Sequence, residues 1–186
     1  MGVNLYAELS AEGKVALDRH APVTKLKLNL GSGNDWRLNG VVNVDCRNLI
    51  PPDMATFVRG DVADLGDMFA DECADEIWAH DVLEHFPQRE METVLDEWVR
   101  LLAPGGTLHL RTPDLYALAY FITNGKESDE VKAYRVYGGQ NYAENFHRAG
   151  VTIPMLRTLL TARGLRITKE ENKGTDLLVD ARKVTR

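Results

Sequence analysis

Two short apolar runs separated by a glycine turn, within residues 25–45, place tight limits on the fold. The run 25–30 alternates polar and apolar residues with the period of a β-strand, and Val41–Val44 predicts a second strand beside it. Gly31 and Gly33 allow backbone angles that a Cβ atom would forbid. In open α/β sheets, ligands bind outside the carboxyl ends of the strands. Asp45 ends the second strand and can accept hydrogen bonds from a ribose, so the stretch predicts a nucleoside-binding site.

A nicotinamide or flavin dinucleotide is the first alternative for the ligand of this turn. Its fingerprint, Gly-x-Gly-x-x-Gly, needs a third small residue and an acid about 20 residues further on. Trp36 stands where the third glycine belongs, and Asp45 comes 14 residues after Gly31. Only seven residues separate Gly33 from Val41, so the first helix can be little more than a turn and offers no long helix N-terminus for a pyrophosphate. A nucleoside cofactor without phosphates fits better.

The rest of the chain predicts further strands and helices in an alternating order. Apolar periodicity and turn residues predict strands at 57–62, 76–79, 107–112, 165–168 and 177–181, and helices at 88–102 and 154–163, the second ending at Gly164. A helix over 4–20 is expected within an N-terminal segment, residues 1–24. These elements predict an α/β fold with a Rossmann-like, seven-stranded, mostly parallel sheet, helices on both faces and a single domain.

Five motifs occur in a fixed order: L-x-L-G-x-G, V-x-V-D, G-D-V, an H-x-L-E-H-F-like segment and L-x-P-G-G-x-L. They begin at Leu28, Val42, Gly60, His80 and Leu102. In this order the chain resembles the class I S-adenosylmethionine-dependent methyltransferases, specifically small bacterial members. The resemblance runs from Lys25 to about Arg182 and implies a methyltransferase domain over residues 25–186. It also implies an enzyme whose cofactor is S-adenosyl-L-methionine.

The resemblance assigns a role to each motif. It implies that the first motif cradles the methionine part of the cofactor, that Asp45 binds the ribose hydroxyls, that Asp61 and Val62 border the adenine, and that Ala79 and His80 line the methionine side. The cradle residues are Asn29, Leu30, Gly31, Ser32 and Gly33.

The first motif departs from the family pattern at two positions. Asn29 stands where many members have Glu or Asp, and Asp35 stands where a third motif glycine often falls. The loss of an acid favours a second hypothesis, in which the chain binds the cofactor but has lost catalysis and acts as a regulatory or scaffold protein. A dinucleotide-dependent oxidoreductase is a third hypothesis, disfavoured by Trp36.

Histidines are the candidates for chemistry in the second half of the chain. Methyl transfer mainly requires alignment of acceptor and methyl group, but a hydroxyl acceptor can use a neutral histidine as general base. His147 is the preferred candidate because it lies in a Gly-rich connection on the ligand side, and His85 is the second. A core or helix-end histidine is an equal alternative for His85. The same connection predicts acceptor binding by Gln140, Tyr142 and Arg148, with a solvated loop as the alternative for each.

The sequence predicts no metal site, and the segment His80–His85 is the one that had to be tested. An inverted zinc motif needs His-x-x-Glu-His, and Asp81 occupies its first position. On one helix His80 and His85 would point about 140° apart, so they would not share a ligand face. Acids near a helix start, as at Asp81 and Glu84, also complement the helix dipole.

Composition limits the partners and the compartment. A net charge of −6 with scattered basic residues argues against a sequence-independent hold on nucleic acid. Two cysteines without zinc-finger spacing, and an N-terminus without a long apolar run, predict a cytoplasmic protein without a membrane segment.

The resemblance implies a small-molecule or carbohydrate acceptor, as in glycan or surface-polysaccharide assembly. A homodimer is compatible with the sequence, which does not specify the oligomeric state.

Overall fold

One seven-stranded sheet organises the computed structural model, which describes residues 26–185. In chain order the strands are β1 (Leu26–Leu30), β2 (Val41–Asp45), β3 (Thr56–Arg59), β4 (Ala74–His80), β5 (Leu102–Pro113), β6 (Leu165–Lys173) and β7 (Asp176–Lys183). Their order across the sheet is β3-β2-β1-β4-β5-β7-β6. The first five strands pair in parallel, and only β7 runs antiparallel to its neighbours. The predicted seven-stranded, mostly parallel sheet is confirmed.

Four α-helices and one short 3-10 turn accompany the sheet within residues 26–185. The turn spans Leu83–His85, and the helices are α1 (Met91–Leu101), α2 (Leu115–Asn124), α3 (Asp129–Tyr137) and α4 (Ile153–Ala162). The side chains of Asp114, Ser128 and Thr152 each accept a hydrogen bond from a backbone N–H of the first turn that follows, which explains where the last three helices begin. Over these residues, no helix combines the length and the apolar character needed to cross a membrane.

Several element boundaries differ from the prediction, most clearly those of β3, α1, β5 and β6, which runs on to Lys173. The third strand stops at Arg59 rather than at residue 62, and the Gly60 N–H makes its last bond to β2, to the Asp45 carbonyl at 3.0 Å. Helix α1 begins at Met91 rather than residue 88 and ends one residue earlier. Strand β5 begins at Leu102, five residues earlier than predicted, and a register shift against β4 absorbs the turn 103–106. The helix predicted over 4–20 lies outside the described residues.

The core explains why α1 is fixed to the sheet. Inward-facing residues of β1, β4, β5 and β7 are buried, and α1 presents one apolar stripe to them. Trp98, on that stripe, is fully buried, and its indole Nε1 donates to the Val62 carbonyl at 2.9 Å. This bond ties the helix to the loop after β3, one of the loops that the sequence assigns to the cofactor.

The parallel strands bring four strand ends to one edge. Leu30, Asp45, Arg59 and His80 are the last residues of β1, β2, β3 and β4. No helix interrupts the connections 31–40 and 46–55, as the short spacing after Gly33 predicts. The loops at this edge are therefore free to contact one another, and the candidate site lies among them.

Replacement of Trp98 tests the link between core and cofactor loop. Trp98→Ala is expected to lower the free energy of unfolding by about 3–5 kcal/mol, because it leaves a large cavity. Trp98→Phe should cost about 1–3 kcal/mol, since the buried Val62 carbonyl loses its donor. Urea unfolding measures both, with the half-buried Trp78→Phe as the control, expected to cost less. Equal losses for the two Phe variants would contradict the assigned role of the indole bond.

Candidate active site

Two adjoining cavities open at the edge where the strands end. The first has a volume of about 370 Å³ and is lined by Asn29, Ser32, Gly33, His80 and His147, among others. The second, of about 390 Å³, is lined by Asp45, Arg47, Asp61, Val62 and Phe86, among others. Four residues line both cavities and mark their junction: Gly31, Asp81, His85 and Tyr142.

The turn after β1 is shaped so that only glycine fits its first position. Gly31 has φ +63°, and a Cβ atom there would lie 2.5 Å from Cγ2 of Val82. Gly33 also has a positive φ, +53°. The Ser32 N–H donates to the Val44 carbonyl at 3.0 Å, while its buried Oγ has no hydrogen-bond partner within residues 26–185. A side chain at Gly31 would fill the space inside this turn. The unpaired Ser32 Oγ also needs a hydrogen-bond partner, so the turn fits a bound cofactor.

Asp45 is a buried carboxylate that lines the second cavity. Its Oδ2 accepts from the Gly33 N–H at 2.8 Å, and its Oδ1 accepts from the backbone and Nε of Arg47 at 2.9 and 3.0 Å. Burial raises the pKa of Asp45, but the hydrogen bonds from Arg47 and Gly33 outweigh it and hold the pKa below its usual range. An ionised carboxylate accepts hydrogen bonds only, which suits a ribose diol.

Arg47, which the sequence analysis missed, covers the carboxylate. Its guanidinium lies 4.3 Å from the ring centroid of Tyr142, a cation–π contact that joins the loop after β2 to the connection after α3. A ribose approaching Asp45 therefore meets Arg47 and Tyr142 first. The position of an arginine two residues after a cofactor acid carries no recognised signal in a sequence.

Asn29 has a structural explanation that the sequence could not give. Both N–H groups of its side chain are used, by the Asp35 carbonyl at 2.8 Å and by Oδ1 of the buried Asn43 at 2.9 Å. Asn43 in turn holds the backbone of Arg37. The amide oxygen of Asn29 remains free to accept a hydrogen bond from a ligand in the first cavity. In proteins with Glu or Asp at this position, a carboxylate oxygen would be the acceptor. Asn29 therefore fixes the loop 31–40 and keeps an acceptor.

The end of β4 is strained and charged. Asp81 has φ +55°, which a non-glycine residue rarely adopts and which is common at functional sites. Its carboxylate is paired with Arg111 of β5, whose Nε lies 2.9 Å from Oδ1. Burial lowers the pKa of His80, and the cations of Arg111 and Arg37 lower it further, so this imidazole is neutral at physiological pH. The Asp81 N–H also donates to the Arg111 carbonyl at 2.9 Å, and these bonds to Arg111 hold Asp81 at the junction of the two cavities.

The 3-10 turn after β4 is joined to the connection between α3 and α4. The backbone N–H groups of Arg148 and Ala149 donate to the Glu84 carbonyl at 2.8 and 3.2 Å, and Nδ1 of His85 lies 3.0 Å from the Phe146 carbonyl. These bonds place the rings of His85 and His147 with centroids 5.1 Å apart. The two candidate histidines, which are 62 positions apart in the sequence, therefore lie side by side.

Glu84 is a buried acid beside this histidine pair. Glu84 is 1% exposed. Its Oε2 accepts a hydrogen bond from the Thr112 hydroxyl at 3.1 Å, whereas its Oε1 has no hydrogen-bond partner among the described residues. Burial raises the pKa of Glu84 to about 8. Burial also lowers the pKa of His85 and of His147, and His85 lowers that of His147 further. The first cavity thus ends in a cluster of three titratable side chains.

The structure brings most of the predicted site residues to the cavities, but not all of them. Gln140 is exposed and lies outside both, while Arg148 lines the second cavity, on the Asp45 side rather than the acceptor side. Leu30 and Ala79 are buried core residues that support the site from below, because inward positions of a parallel sheet face the core. The predicted residues that do line a cavity are Asn29, Gly31, Ser32, Gly33, Asp45, Asp61, Val62, His80, His85, Tyr142, Arg148 and His147.

Comparison with known proteins finds a methyltransferase domain and a methyltransferase fold. Residues 39–110 match the family model described as a methyltransferase domain. The fold matches a Methanosarcina mazei S-adenosylmethionine-dependent methyltransferase with a TM-score of 0.63 and 17% identity, over 89% of this chain and 95% of that one. The chain is therefore similar to S-adenosylmethionine-dependent methyltransferases, in a domain match over residues 39–110 and in its fold. These likenesses support an enzyme whose cofactor is S-adenosylmethionine.

Two further solved structures share this methyltransferase fold. A protein of Pyrococcus horikoshii OT3 matches with a TM-score of 0.60 and 20% identity, over 86% of this chain and 82% of that one. A Burkholderia thailandensis 1,6-didemethyltoxoflavin-N1-methyltransferase, solved with 1,6-didemethyltoxoflavin and S-adenosylhomocysteine, matches with a TM-score of 0.53 and 18% identity, over 86% and 72%. At these identities the likeness concerns the fold.

Removal of the Asp45 carboxylate tests the ribose assignment. Asp45→Ala should weaken S-adenosylhomocysteine binding by about 1.5–3 kcal/mol, the range for hydrogen bonds to a charged group, and calorimetry measures it. Arg47→Met is the matched control: it frees the carboxylate from its ion pair and should bind at least as tightly as the unmodified methyltransferase. Unchanged affinity in a folded Asp45→Ala variant would exclude the assignment.

A methyl group added at Gly31 tests the cradle. Gly31→Ala should lose S-adenosylhomocysteine affinity by about tenfold or more, because Val82 must shift into the cavities. Gly40 offers a matched control, since its φ is +83° and no atom lies within 4 Å of the place that a Cβ would take. Both substitutions put a Cβ atom on a residue with positive φ, so each should lower the free energy of unfolding by about 1–2 kcal/mol. Gly40→Ala should nevertheless keep the affinity for S-adenosylhomocysteine. Equal affinities for the two variants would show that the turn is not the cradle.

Proposed function

We propose that this methyltransferase transfers the methyl group of S-adenosylmethionine to a hydroxyl of a polar small-molecule or glycan-type acceptor. The observation that carries the proposal is the character of the first cavity beyond the junction. Its wall there is formed by polar and charged side chains that suit a hydroxyl-rich molecule, namely Arg111, Tyr134, Arg135, Asn145 and Asp176.

The two cavities suggest how cofactor and acceptor share the site. Asp45 with Asp61 and Val62 would hold the nucleoside in the second cavity, and the Gly31 turn with Asn29 and His80 would hold the methionine part in the first. When bound, the cofactor supplies an electrophilic methyl group on sulfur. The residues that line both cavities would then flank the methyl group, which would face the polar wall. The protein's contribution is chiefly alignment of the acceptor oxygen and exclusion of water.

His147 and His85 are the proposed catalytic residues. His85 lies at the junction and His147 lines the first cavity. Burial keeps both imidazoles neutral near pH 7, the form that can take a proton from a hydroxyl. The Phe146 carbonyl can only accept, so Nδ1 of His85 carries the hydrogen and Nε2 keeps its lone pair. Tyr142 and its contact with Arg47 would close the site over the bound molecules.

Three observations bear on the alternatives and on the location. The inactive regulatory or scaffold hypothesis rested on Asn29, whose amide has a structural role and still offers an acceptor oxygen. A small-molecule acceptor is supported by the Burkholderia neighbour, which was solved with a small heterocycle bound. Cys46 and Cys73 are both free thiols, which supports a reducing, cytoplasmic location.

Methyl transfer to a panel of polyhydroxylated acceptors tests the proposal. Incubation with methyl-labelled S-adenosylmethionine should label at least one member of the panel, and His147→Ala should lower that turnover by about 10²–10⁴-fold with little change in cofactor affinity. His109→Ala is the control, because His109 lies in β5 and pairs with Asp180 outside both cavities. Turnover of His147→Ala equal to that of the control would remove His147 from the mechanism.

A further inference from the structure

We infer that Glu84, His85 and His147 form a binding site for a divalent transition-metal ion at the acceptor end of the first cavity. One ligand atom from each of these side chains can be chosen so that all three lie within 4.8 Å of one another. Two nitrogens and one carboxylate oxygen are the donors that zinc and non-haem iron take in sites that keep a position open for substrate.

The orientation of the imidazoles favours metal binding over a purely structural pair. Because Nδ1 of His85 donates to the Phe146 carbonyl, its Nε2 presents a lone pair. The backbone of Arg135 and of Val136 also interacts with the ring of His147. A backbone carbonyl on the far nitrogen is the usual outer partner of a metal-ligating histidine.

Glu84 supplies the independent observation. An acid that is 1% exposed, with one oxygen unpaired among the described residues, is costly to bury unless something completes it. The Thr112 hydroxyl holds the other oxygen and thereby orients the carboxylate. A cation between Glu84 and the two imidazoles would satisfy the unpaired oxygen and both lone pairs together.

The ligand atoms of Glu84, His85 and His147 lie slightly further apart than the ligands of a bound zinc ion. Ligand atoms on a tetrahedral zinc, with bonds of about 2.0–2.2 Å, lie about 3.3–3.6 Å apart. The three side chains would therefore approach one another by an ångström or so, about what a rotation of the half-buried His147 supplies. The sequence expectation of no metal rested on spacing within His80–His85, and it did not consider a ligand from a distant segment.

The catalytic role of this site rests on the proposed function. A cation facing the cavity would polarise the acceptor hydroxyl and lower its pKa. The acceptor oxygen then bonds to the methyl carbon as the sulfur–carbon bond breaks, with the electron pair remaining on sulfur and the hydroxyl proton passing to water in the open cavity. With the cation bound, His85 and His147 would serve as its ligands, and the general-base role proposed above applies to the protein without the cation.

Calorimetric titration of the protein with Zn²⁺, and absorption spectroscopy with Co²⁺, test the site without an acceptor. A Cys46→Ser background removes the exposed thiol as a competing ligand. One ion should bind per chain, and His147→Ala or Glu84→Gln should weaken it about 100-fold or more, since loss of a direct ligand should exceed the 10–100-fold of an outer partner. His109→Ala should bind as the background does. Absence of binding, or binding that survives both substitutions, would overturn the site.

Thr112 gives a second variant that keeps the test valid if a ligand variant does not fold. Thr112→Val should weaken Zn²⁺ binding by about 10–100-fold, and Thr112→Ser should restore it, because only the hydroxyl orients Glu84. Equal weakening by Val and Ser would contradict the orienting role. S-adenosylhomocysteine titration separates the two claims: bound cofactor without bound metal refutes the site alone, whereas absent cofactor binding refutes the proposed function.

Discussion

The contact between Gly31 and Val82 is the constraint on which the site depends. A bare Cα at Gly31 lets the turn after β1 lie against the residue that follows the strained Asp81, so the ends of β1 and β4 meet without a side chain between them. Because parallel strands end at one edge, this contact creates two cavities that share a wall. Any Cβ atom at Gly31 pushes Val82 into that wall. In the proposed function, this one close contact of the backbone couples the position of the cofactor to that of the acceptor.

The second half of the site depends on backbone bonds between distant segments. Glu84 and His85 follow β4, whereas His147 lies between α3 and α4, and the bonds from residues 148 and 149 to the Glu84 carbonyl hold the two segments together. The side chains that meet there are neutral imidazoles and a buried acid, a combination suited to acting on a hydroxyl. Arg47 and Tyr142 form a similar bridge over the nucleoside side.

Sequence reasoning reached the sheet and the cofactor edge because those features are local. Strand periodicity, the glycine turn and an acid ending the second strand each lie within a few residues, and they predicted Gly31, Gly33 and Asp45 at one edge. Strand ends were less predictable: β5 absorbs Pro104 and two glycines in a register shift that alternation does not reveal. From the sequence, Asn29 looked like the loss of an acid. Its structural role could not be predicted, because only the fold brings Asn43 and the Asp35 carbonyl next to its side chain.

Contacts between remote segments explain the remaining differences. Gln140 and Tyr142 are two residues apart, yet only Tyr142 faces the cavities, since the chain between α3 and α4 is irregular and has no period from which to assign a face.

A crystal structure with S-adenosylhomocysteine tests the central claim most directly. The account predicts the ribose on Asp45 and the sulfur at the junction of Gly31, Asp81, His85 and Tyr142, facing His147. Density for the nucleoside elsewhere, or a sulfur directed away from that junction, would contradict it.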